Sequence, residues 1–223
     1  MKYLFLLTFA LAGSTSGLAL PAATPDLATI ADRKAWKIVH ATAEAVDMDG
    51  RRAVRLKAEG DSANRFIGQA LPSGVEFATG MIEVDLKGRN IRQQSFLGVV
   101  FNVDDERTFE AVYFRPFNFR AEEPFRSHAV QYIAWPENTW DKLRQATPGR
   151  YENRVDPVPD PECWFHARIE IVETQVKVYV DGASAPCLVV DRLNRGDCAR
   201  PVGLWVDVAE GLYANLVVIP DAD

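Results

Sequence analysis

The sequence has 223 residues, of which 48% are hydrophobic and 25% charged, and its formal net charge at pH 7 is −6. A chain of this length can bury one sizeable core, so a single folded domain is expected. The acidic balance argues against a nucleic-acid partner, which would require a basic face to neutralise phosphates. No interior segment is long and apolar enough to predict a membrane span.

Residues 1–19 have the features of a secretory signal peptide. A lysine precedes an apolar run, and Gly17 and Ala19 have the spacing that a signal peptidase accepts. Cleavage after Ala19 would give a secreted or periplasmic protein. The segment 20–32 shows no sustained period and is interpreted as a leader, so the folded domain is expected to cover 33–223.

Apolar and polar residues alternate along several segments between turn residues. The alternation is regular over 82–87, 164–171 and 176–181, and each of these segments predicts a half-buried β-strand. Because one sheet cannot bury its own apolar face, many strands with few helices predict two packed sheets. The fold class is therefore all-β, a two-sheet antiparallel β-sandwich, with one long proline-rich loop over 136–161.

The segment 113–132, YFRPFNFRAEEPFRSHAVQY, concentrates aromatic rings and arginines where a plain strand would alternate. Aromatic faces stack on apolar ligand surfaces and guanidinium groups bond carboxylates and hydroxyls in fixed directions, so the mixture suits a sugar. The alternative is a chain corner whose phenylalanines fill the core. The candidate ligand-binding residues in this and nearby segments are Tyr113, Arg115, Asn118, His128, Gln131, Trp135, Trp164, His166 and Arg168.

Two further points concern the grouping of these candidates and the charge of their ligand. Trp164, His166 and Arg168 belong to the group only if their strand shares a sheet with the strand that carries Arg115. The ligand could also be anionic, such as an acidic polysaccharide, because the segment 113–154 has seven basic side chains against five acidic ones.

Metal chemistry has weaker support in the sequence. The three histidines are scattered, and no His-x-His, His-Glu-x-x-His or Cys-x-x-Cys spacing indicates a transition-metal site. No cofactor is expected, and any metal should be calcium, with Asp104, Asp105 and Asp207 as candidate ligands. Solvated turn aspartates are the alternative interpretation.

The odd number of cysteines leaves the disulfide pattern open. Cys187 and Cys198 flank a short polar loop and could be bridged in an oxidising compartment. Cys163 precedes a tryptophan and is expected to be a buried thiol. None of the three has the sequence setting of a catalytic nucleophile.

A resemblance covers nearly the whole chain after the signal peptide. TGMIEVD at 79–85, FLGVVF at 96–101, and VGLW at 202–205 with YANL at 213–216 look like the concanavalin A-like lectin/glucanase superfamily, which includes laminin-G-like domains. More narrowly, YFRPFNF, HAVQY, the turn from Trp140 to Arg144 and PGRYE resemble secreted bacterial proteins sometimes labelled with the 3-keto-disaccharide hydrolase domain. The resemblance implies a jelly roll that binds a glycan on its concave face.

The resemblance also permits a test for catalysis. Retaining glucanases of this superfamily carry Glu-x-Asp-x-Glu or Glu-x-Asp-x-x-Glu on one strand, because retention needs a nucleophile and an acid about 5 Å apart. Glu83 and Asp85 match the first two positions, but the third falls on Lys87 or Gly88, so the general acid is missing. Glu83 and Asp85 remain the candidate catalytic pair, with solvated strand residues as the alternative.

Three functions therefore stay open. The first is carbohydrate recognition centred on Arg115, Asn118 and Gln131. The second is glycan cleavage by a hydrolase or by a polysaccharide lyase, in which Tyr113 or a histidine would act as the base beside Arg115. The third is a laminin-G-like adhesion module.

Overall fold

The computed structural model describes residues 21–60, 67–194 and 198–221, and the predicted signal peptide lies outside these ranges. Within them the chain forms fifteen strands and one α-helix. The helix is α1 (Trp140–Ala146). The strands are β1 (Trp36–Val39), β2 (Ala41–Met48), β3 (Arg51–Ala58), β4 (Ile67–Pro72), β5 (Glu76–Phe77), β6 (Gly80–Lys87), β7 (Ser95–Asp105), β8 (Thr108–Phe114), β9 (Val130–Trp135), β10 (Glu152–Asn153), β11 (Phe165–Ile171), β12 (Gln175–Val180), β13 (Leu188–Asp191), β14 (Arg200–Pro201) and β15 (Gly203–Pro220).

Antiparallel pairing arranges these strands in two sheets that share β15. Sheet 1 has the order β1-β4-β15-β7-β8-β9-β10. Sheet 2 has the order β2-β3-β15-β6-β11-β12-β13. The short strands β5 and β14 pair separately. The predicted all-β antiparallel sandwich is confirmed.

The long strand β15 changes sheets near its middle. Its register against β7 shifts between Asp207 and Ala209, and beyond this point β15 pairs with β3 and β6. Val208 and Ala209 have φ of 53° and 62°, a conformation that is disfavoured for a β-branched side chain. Such strain persists where the surrounding structure fixes it, here the strands paired on either side of the bend.

The alternation seen in the sequence defines the core between the sheets. Leu97, Val99 and Phe101 point inward from sheet 1, and Val84 and Leu86 point inward from sheet 2, all fully buried. Each such side chain contributes roughly 1.5–3 kcal/mol relative to an exposed position. A second apolar cluster lies on the opposite face of sheet 1, called here the outer face of sheet 1. It contains Val100, Phe109, Tyr113, Ile133 and Trp205, and Leu143 of α1 packs on it.

One ion pair is buried within the sandwich. Glu110 of β8 is fully buried, and Arg192, directly after β13, is 4% exposed. Arg192 Nε donates to Glu110 Oε1 at 3.0 Å, Tyr132 Oη donates to Oε2 at 2.5 Å, and Asn102 Nδ2 donates to Oε1 at 2.7 Å. Burial raises the pKa of Glu110 in spite of the Arg192 charge. The network ties the end of sheet 2 to sheet 1.

The interpreted leader segment is part of the folded domain. Leu27 and Ile30 are buried, and the backbone of Ala23 pairs with that of Val218. Trp36 Nε1 also donates to Thr29 Oγ1 at 3.1 Å. The domain therefore begins by Ala23 rather than at residue 33, because a short 3-10 turn buries apolar groups that show no period in sequence.

The cysteines are all free thiols in the structure. Cys187 is buried, and burial raises its pKa to about 11, whereas Cys198 is exposed, so the disulfide considered above is not formed. Cys163 is also exposed, which makes the expectation of a buried thiol wrong. No helix among the described residues is long and apolar enough to cross a membrane.

Candidate functional site

A cavity of about 420 Å³ opens on the outer face of sheet 1, beside the bend in β15. Five aromatic rings line it: Phe96, Tyr113, Phe117, Phe125 and Trp140. Among the described residues, seven polar or charged side chains also line it: Arg92, Gln93, Arg115, Asn118, His128, Arg144 and Asp207. The cavity thus combines apolar surfaces with directed hydrogen-bond donors, as small-molecule sites commonly do.

Arg115 is held at the cavity by groups on two adjacent strands. It follows β8 directly, and its backbone N–H donates to Ala129 O at 2.7 Å. Its guanidinium donates to His128 O at 2.7 Å, to Tyr113 Oη at 2.7 Å and to Gln131 Oε1 at 2.5 Å. Because Tyr113 and Gln131 face each other across β8 and β9, sheet register fixes this side chain.

All three acceptors of the Arg115 guanidinium are uncharged oxygens. Only 5% of Arg115 is exposed, and in the described part of the chain no carboxylate lies within 4 Å of its guanidinium. Burial lowers the pKa of Arg115 and raises that of Tyr113 to about 12. Arginine stays charged in proteins, so a buried cation without a paired anion sits at the base of the cavity.

Tyr113 is positioned by stacking on Trp205. The two ring centroids are 4.6 Å apart, and the rings are inclined by 26°. Gly98 lies between their strands, pairing with both residues, and a Cβ there would come within 2.1 Å of Val112 O. The absence of a side chain at Gly98 lets the stack form, and the stack directs the Tyr113 hydroxyl toward Arg115.

Replacing Tyr113 with phenylalanine is expected to lower the free energy of unfolding by about 1 kcal/mol, because the buried hydroxyl both accepts from Arg115 and donates to Gln131. Urea unfolding followed by circular dichroism measures the change. Tyr151→Phe is the control, since Tyr151 is only partly buried and its hydroxyl makes no such pair of bonds. An unchanged midpoint for Tyr113→Phe would contradict the hydrogen-bonded arrangement.

A second set of charged and polar side chains lies at the cavity wall, formed by Arg144 and His128 with Glu152 beside them. Glu152 of β10 is 3% exposed and accepts two hydrogen bonds from Arg144, at 2.8 Å from Nε and 2.5 Å from Nη2. His128 Nδ1 lies 3.0 Å from Glu152 Oε2. Burial lowers the pKa of His128, outweighing Glu152, so the imidazole is neutral at pH 7. The Arg144 guanidinium lies 5.0 Å from the Trp140 ring centre.

The rim of the cavity is aromatic and accessible. Phe125 and Trp140 are each 42% exposed, unusually open for large apolar side chains. The Arg92 guanidinium lies 4.3 Å from the Phe125 ring centre. Two exposed rings beside one cavity form a surface on which an apolar ligand face can stack.

The structure brings together one part of the predicted site. Tyr113, Arg115, Asn118 and His128 line the cavity, and Gln131 lies directly behind it, fully buried. Trp135 is not on the cavity wall; its ring stacks on Phe109 in the apolar cluster at 6.0 Å.

Trp164, His166 and Arg168 lie elsewhere, so their grouping with Arg115 is wrong. Their strand β11 belongs to sheet 2, between β6 and β12. Because Phe165, Ala167 and Ile169 point into the core, the alternate residues point to the outer face of sheet 2. This face is on the opposite side of the sandwich from the cavity.

Glu83 and Asp85 share that outer face of sheet 2, away from the cavity. Asp85 accepts hydrogen bonds from Arg51 at 2.5 Å and Asn215 at 2.7 Å, and its Oδ1 lies 2.8 Å from His166 Nδ1. Burial acts to raise the pKa of Asp85, but the bonds from His166 and Asn215 lower it overall. Asp85 of the candidate catalytic pair is therefore held by contacts within the sheet.

The Asp85–His166 pair predicts a pH-dependent stability. The hydrogen bond to Asp85 raises the pKa of His166 in the folded protein above its usual 6.5. The pair therefore contributes its full share to the free energy of unfolding below pH 6.5, and this contribution disappears as the pH rises through the pKa of His166 in the folded protein. His166→Gln removes this titration. The stability difference between wild type and variant should be up to about 1 kcal/mol larger at pH 5.5 than at 8.5, since the pair is partly exposed. Urea titrations measure it, and a difference independent of pH would contradict the pairing.

The predicted calcium ligands do not converge. Asp104 pairs with Arg200, and Asp105 Oδ1 accepts from the Arg107 backbone at 2.7 Å. Asp207 pairs with Phe96, near the opposite end of β7 from Asp104. At about 3.3 Å per strand residue, Phe96 and Asp104 are roughly 26 Å apart along β7. Across the described ranges no group of three or more His, Cys, Asp or Glu side chains is placed to hold a metal ion.

Solved structures share this architecture. A carbohydrate-binding module, CBM66, from Bacillus subtilis superposes with a TM-score of 0.54 at 13% identity, covering 82% of this chain and 93% of that one. The fold is a concanavalin A-like jelly roll. A protein of unknown function with a galectin-like fold, from B. subtilis, gives 0.54 at 13% identity, with 92% and 97% covered. A family 16 glycosyl hydrolase from Mycobacterium smegmatis gives 0.51 at 14% identity, with 90% and 99% covered.

The sequence comparisons add nothing to this result. No family model matches the chain, and no curated protein matches it. The structural similarity therefore establishes the jelly roll, and the site must be interpreted from its own residues.

Several cavity residues were not predicted from the sequence. Arg92, Phe96, Phe125 and Arg144 lie in four separate segments that the fold brings together. Trp140 was expected as a possible wall of the cleft, and Arg144 had a signal, because it lies four residues after Trp140 on one side of a helix. Phe125 lies in the aromatic segment 113–132 but was not named as a candidate, whereas Arg92 lies in a turn and had no comparable signal.

Proposed function

We propose that the cavity on the outer face of sheet 1 binds a carbohydrate. The observation that carries this proposal is the combination of two accessible rings, Phe125 and Trp140, with the arginine donor Arg115 at the base of one cavity. A sugar ring has an apolar face that stacks on aromatic side chains and a rim of hydroxyls that need directed hydrogen bonds.

The polar groups suit hydroxyl recognition. Asn118 is 6% exposed and faces the cavity from the 3-10 turn after Arg115, while Asp207 and His128 stand on other parts of the wall. Amide, carboxylate and neutral imidazole groups can each accept or donate to hydroxyls. The hydrogen bonds that Arg115 makes with Tyr113 and Gln131 reduce the ordering needed on binding, which favours affinity.

The fold supports the same class of ligand. Proteins with this jelly roll include a carbohydrate-binding module and glycosyl hydrolases, so both binding and cleavage are compatible with it. The wall of the cavity favours binding. Retaining hydrolysis needs two carboxyl groups about 5 Å apart. Asp207 is the one carboxylate among the described lining residues, and the neighbouring Glu152 is bound to Arg144.

We also propose that the protein acts outside the cytoplasm, as residues 1–19 predict. Cleavage after Ala19 would leave Leu20 as the first residue of the exported chain. N-terminal sequencing of the chain recovered from the culture medium or periplasm tests this, and an intact Met1 in a cytoplasmic fraction would contradict it.

A panel of neutral and acidic polysaccharides tests the function. We expect isothermal titration calorimetry to show binding to at least one glycan, with no reducing ends released on long incubation. Reducing ends that disappear in Asp207→Asn would instead identify a glycan-cleaving enzyme. A folded protein that binds no glycan would overturn the proposal and favour an adhesion module.

A further inference from the structure

We propose that the carbohydrate bound in this cavity carries a carboxylate, as in a uronic acid residue, and that this carboxylate binds at Arg115. The inference rests on the proposed function and specifies its ligand class. It is carried by a buried guanidinium that borders the cavity and has no carboxylate within 4 Å in the described part of the chain.

A comparison within the chain shows what is unusual about Arg115. Arg192 and Arg115 are buried to nearly the same extent, at 4% and 5% exposure. Arg192 has the carboxylate of Glu110 at 3.0 Å, whereas the acceptors of Arg115 among the described residues are the uncharged oxygens of His128, Tyr113 and Gln131. Removing a cation from water is costly unless an anion is close, so a ligand carboxylate would complete the arrangement at Arg115.

A second guanidinium borders the same cavity without a carboxylate partner. Arg92 stands at the rim against the Phe125 ring, and within the described ranges no acidic side chain lies within 4 Å of it. The charge of Arg144 is matched by Glu152. Among the described lining residues, the guanidinium groups of Arg92 and Arg115 therefore have no carboxylate within 4 Å, and this arrangement favours an anionic ligand.

The surrounding groups favour an anion that is attached to a sugar ring. An isolated anion would not use the exposed Trp140 face, and a neutral sugar would leave Arg115 without a counter-charge. A uronate meets both requirements. Its sugar ring can stack on Trp140, and its carboxylate can accept a charge-assisted hydrogen bond from Arg115.

Matched glycans test the inference. Calorimetry with the full chain compares polygalacturonate, alginate and hyaluronan oligosaccharides with the same oligosaccharides after chemical reduction of their carboxyl groups to alcohols. We expect at least one acidic form to bind at least tenfold more tightly than its reduced form, a difference that charge-assisted hydrogen bonds can supply. Dextran sulfate is included to separate carboxylate recognition from general attraction of anions.

The outcomes separate this inference from the proposed function. Neutral glycans that bind as tightly as acidic ones would overturn the carboxylate and keep carbohydrate binding. Dextran sulfate that binds as tightly as the uronates would also overturn it. Binding to no glycan of either kind would overturn both proposals.

Variants locate the carboxylate. Arg115→Met should abolish the preference for the acidic form, and circular dichroism establishes whether the variant is folded. Arg92→Gln provides a second test that does not depend on a buried side chain, and it should weaken acidic binding severalfold more than binding of the reduced form. Arg107→Gln is the control of equal charge change, since Arg107 is exposed in the turn between β7 and β8. Equal effects of Arg92→Gln and Arg107→Gln would contradict the site.

Discussion

Replacing Glu110 with glutamine is expected to lower the free energy of unfolding by about 3 kcal/mol. The substitution keeps the size of the side chain but removes the negative charge that faces Arg192, which is 4% exposed. Removing one member of a buried ion pair leaves an uncompensated charge, and such changes cost about 3–5 kcal/mol. The hydrogen bonds from Tyr132 and Asn102 lose a charged acceptor as well. Urea unfolding at pH 7 measures the loss.

A double-mutant cycle separates the charge from the packing. Arg192→Met alone should also destabilise, whereas Glu110→Gln combined with Arg192→Met should recover much of the loss, because the buried unpaired charge is then gone. Destabilisations that simply add would show that the two side chains do not interact. A loss below 1 kcal/mol in Glu110→Gln would show that the pair is solvated rather than buried.

The alternation of residues predicted the two-sheet fold because it is a local property. In β6 and β11 the apolar members Ile82 and Ile169 point inward and the polar members Glu83 and Arg168 point outward, as the period of two requires. Which sheet a strand joins depends on pairing with distant segments. The alternation carries no information on this, and the condition that His166 and Arg115 share a sheet is not met.

The site was predictable only where it is local. Tyr113 and Arg115 are two residues apart, and Gln131 lies opposite Tyr113 on the next strand, so a single segment contained the centre of the cavity. Arg92 and Asp207 come from distant segments. The bend of β15 at Val208 has no glycine to mark it, although its positive φ would favour one.

Replacing Trp140 with alanine is expected to weaken glycan binding by about 2 kcal/mol, roughly 30-fold in Kd, with little loss of stability. Trp140 is 42% exposed at the start of α1, so its ring contributes little to the core. It forms part of the cavity beside Arg144, and aromatic side chains of this kind carry a large share of the energy at binding sites. Calorimetry with the glycan identified in the panel measures the effect.

Trp164→Ala is the matched control, because it removes the same group from the other side of the sandwich, where the ring of Trp164 lies near Arg51. It should leave the Kd unchanged. If Trp140→Ala and Trp164→Ala weaken binding equally, the effect is a general loss of structure and the cavity is not the site. If only Trp164→Ala weakens it, the ligand binds on the outer face of sheet 2, where Asp85 and His166 form their pair. A selective effect of Trp140→Ala places the sugar ring at the cavity rim, within reach of the Arg115 guanidinium.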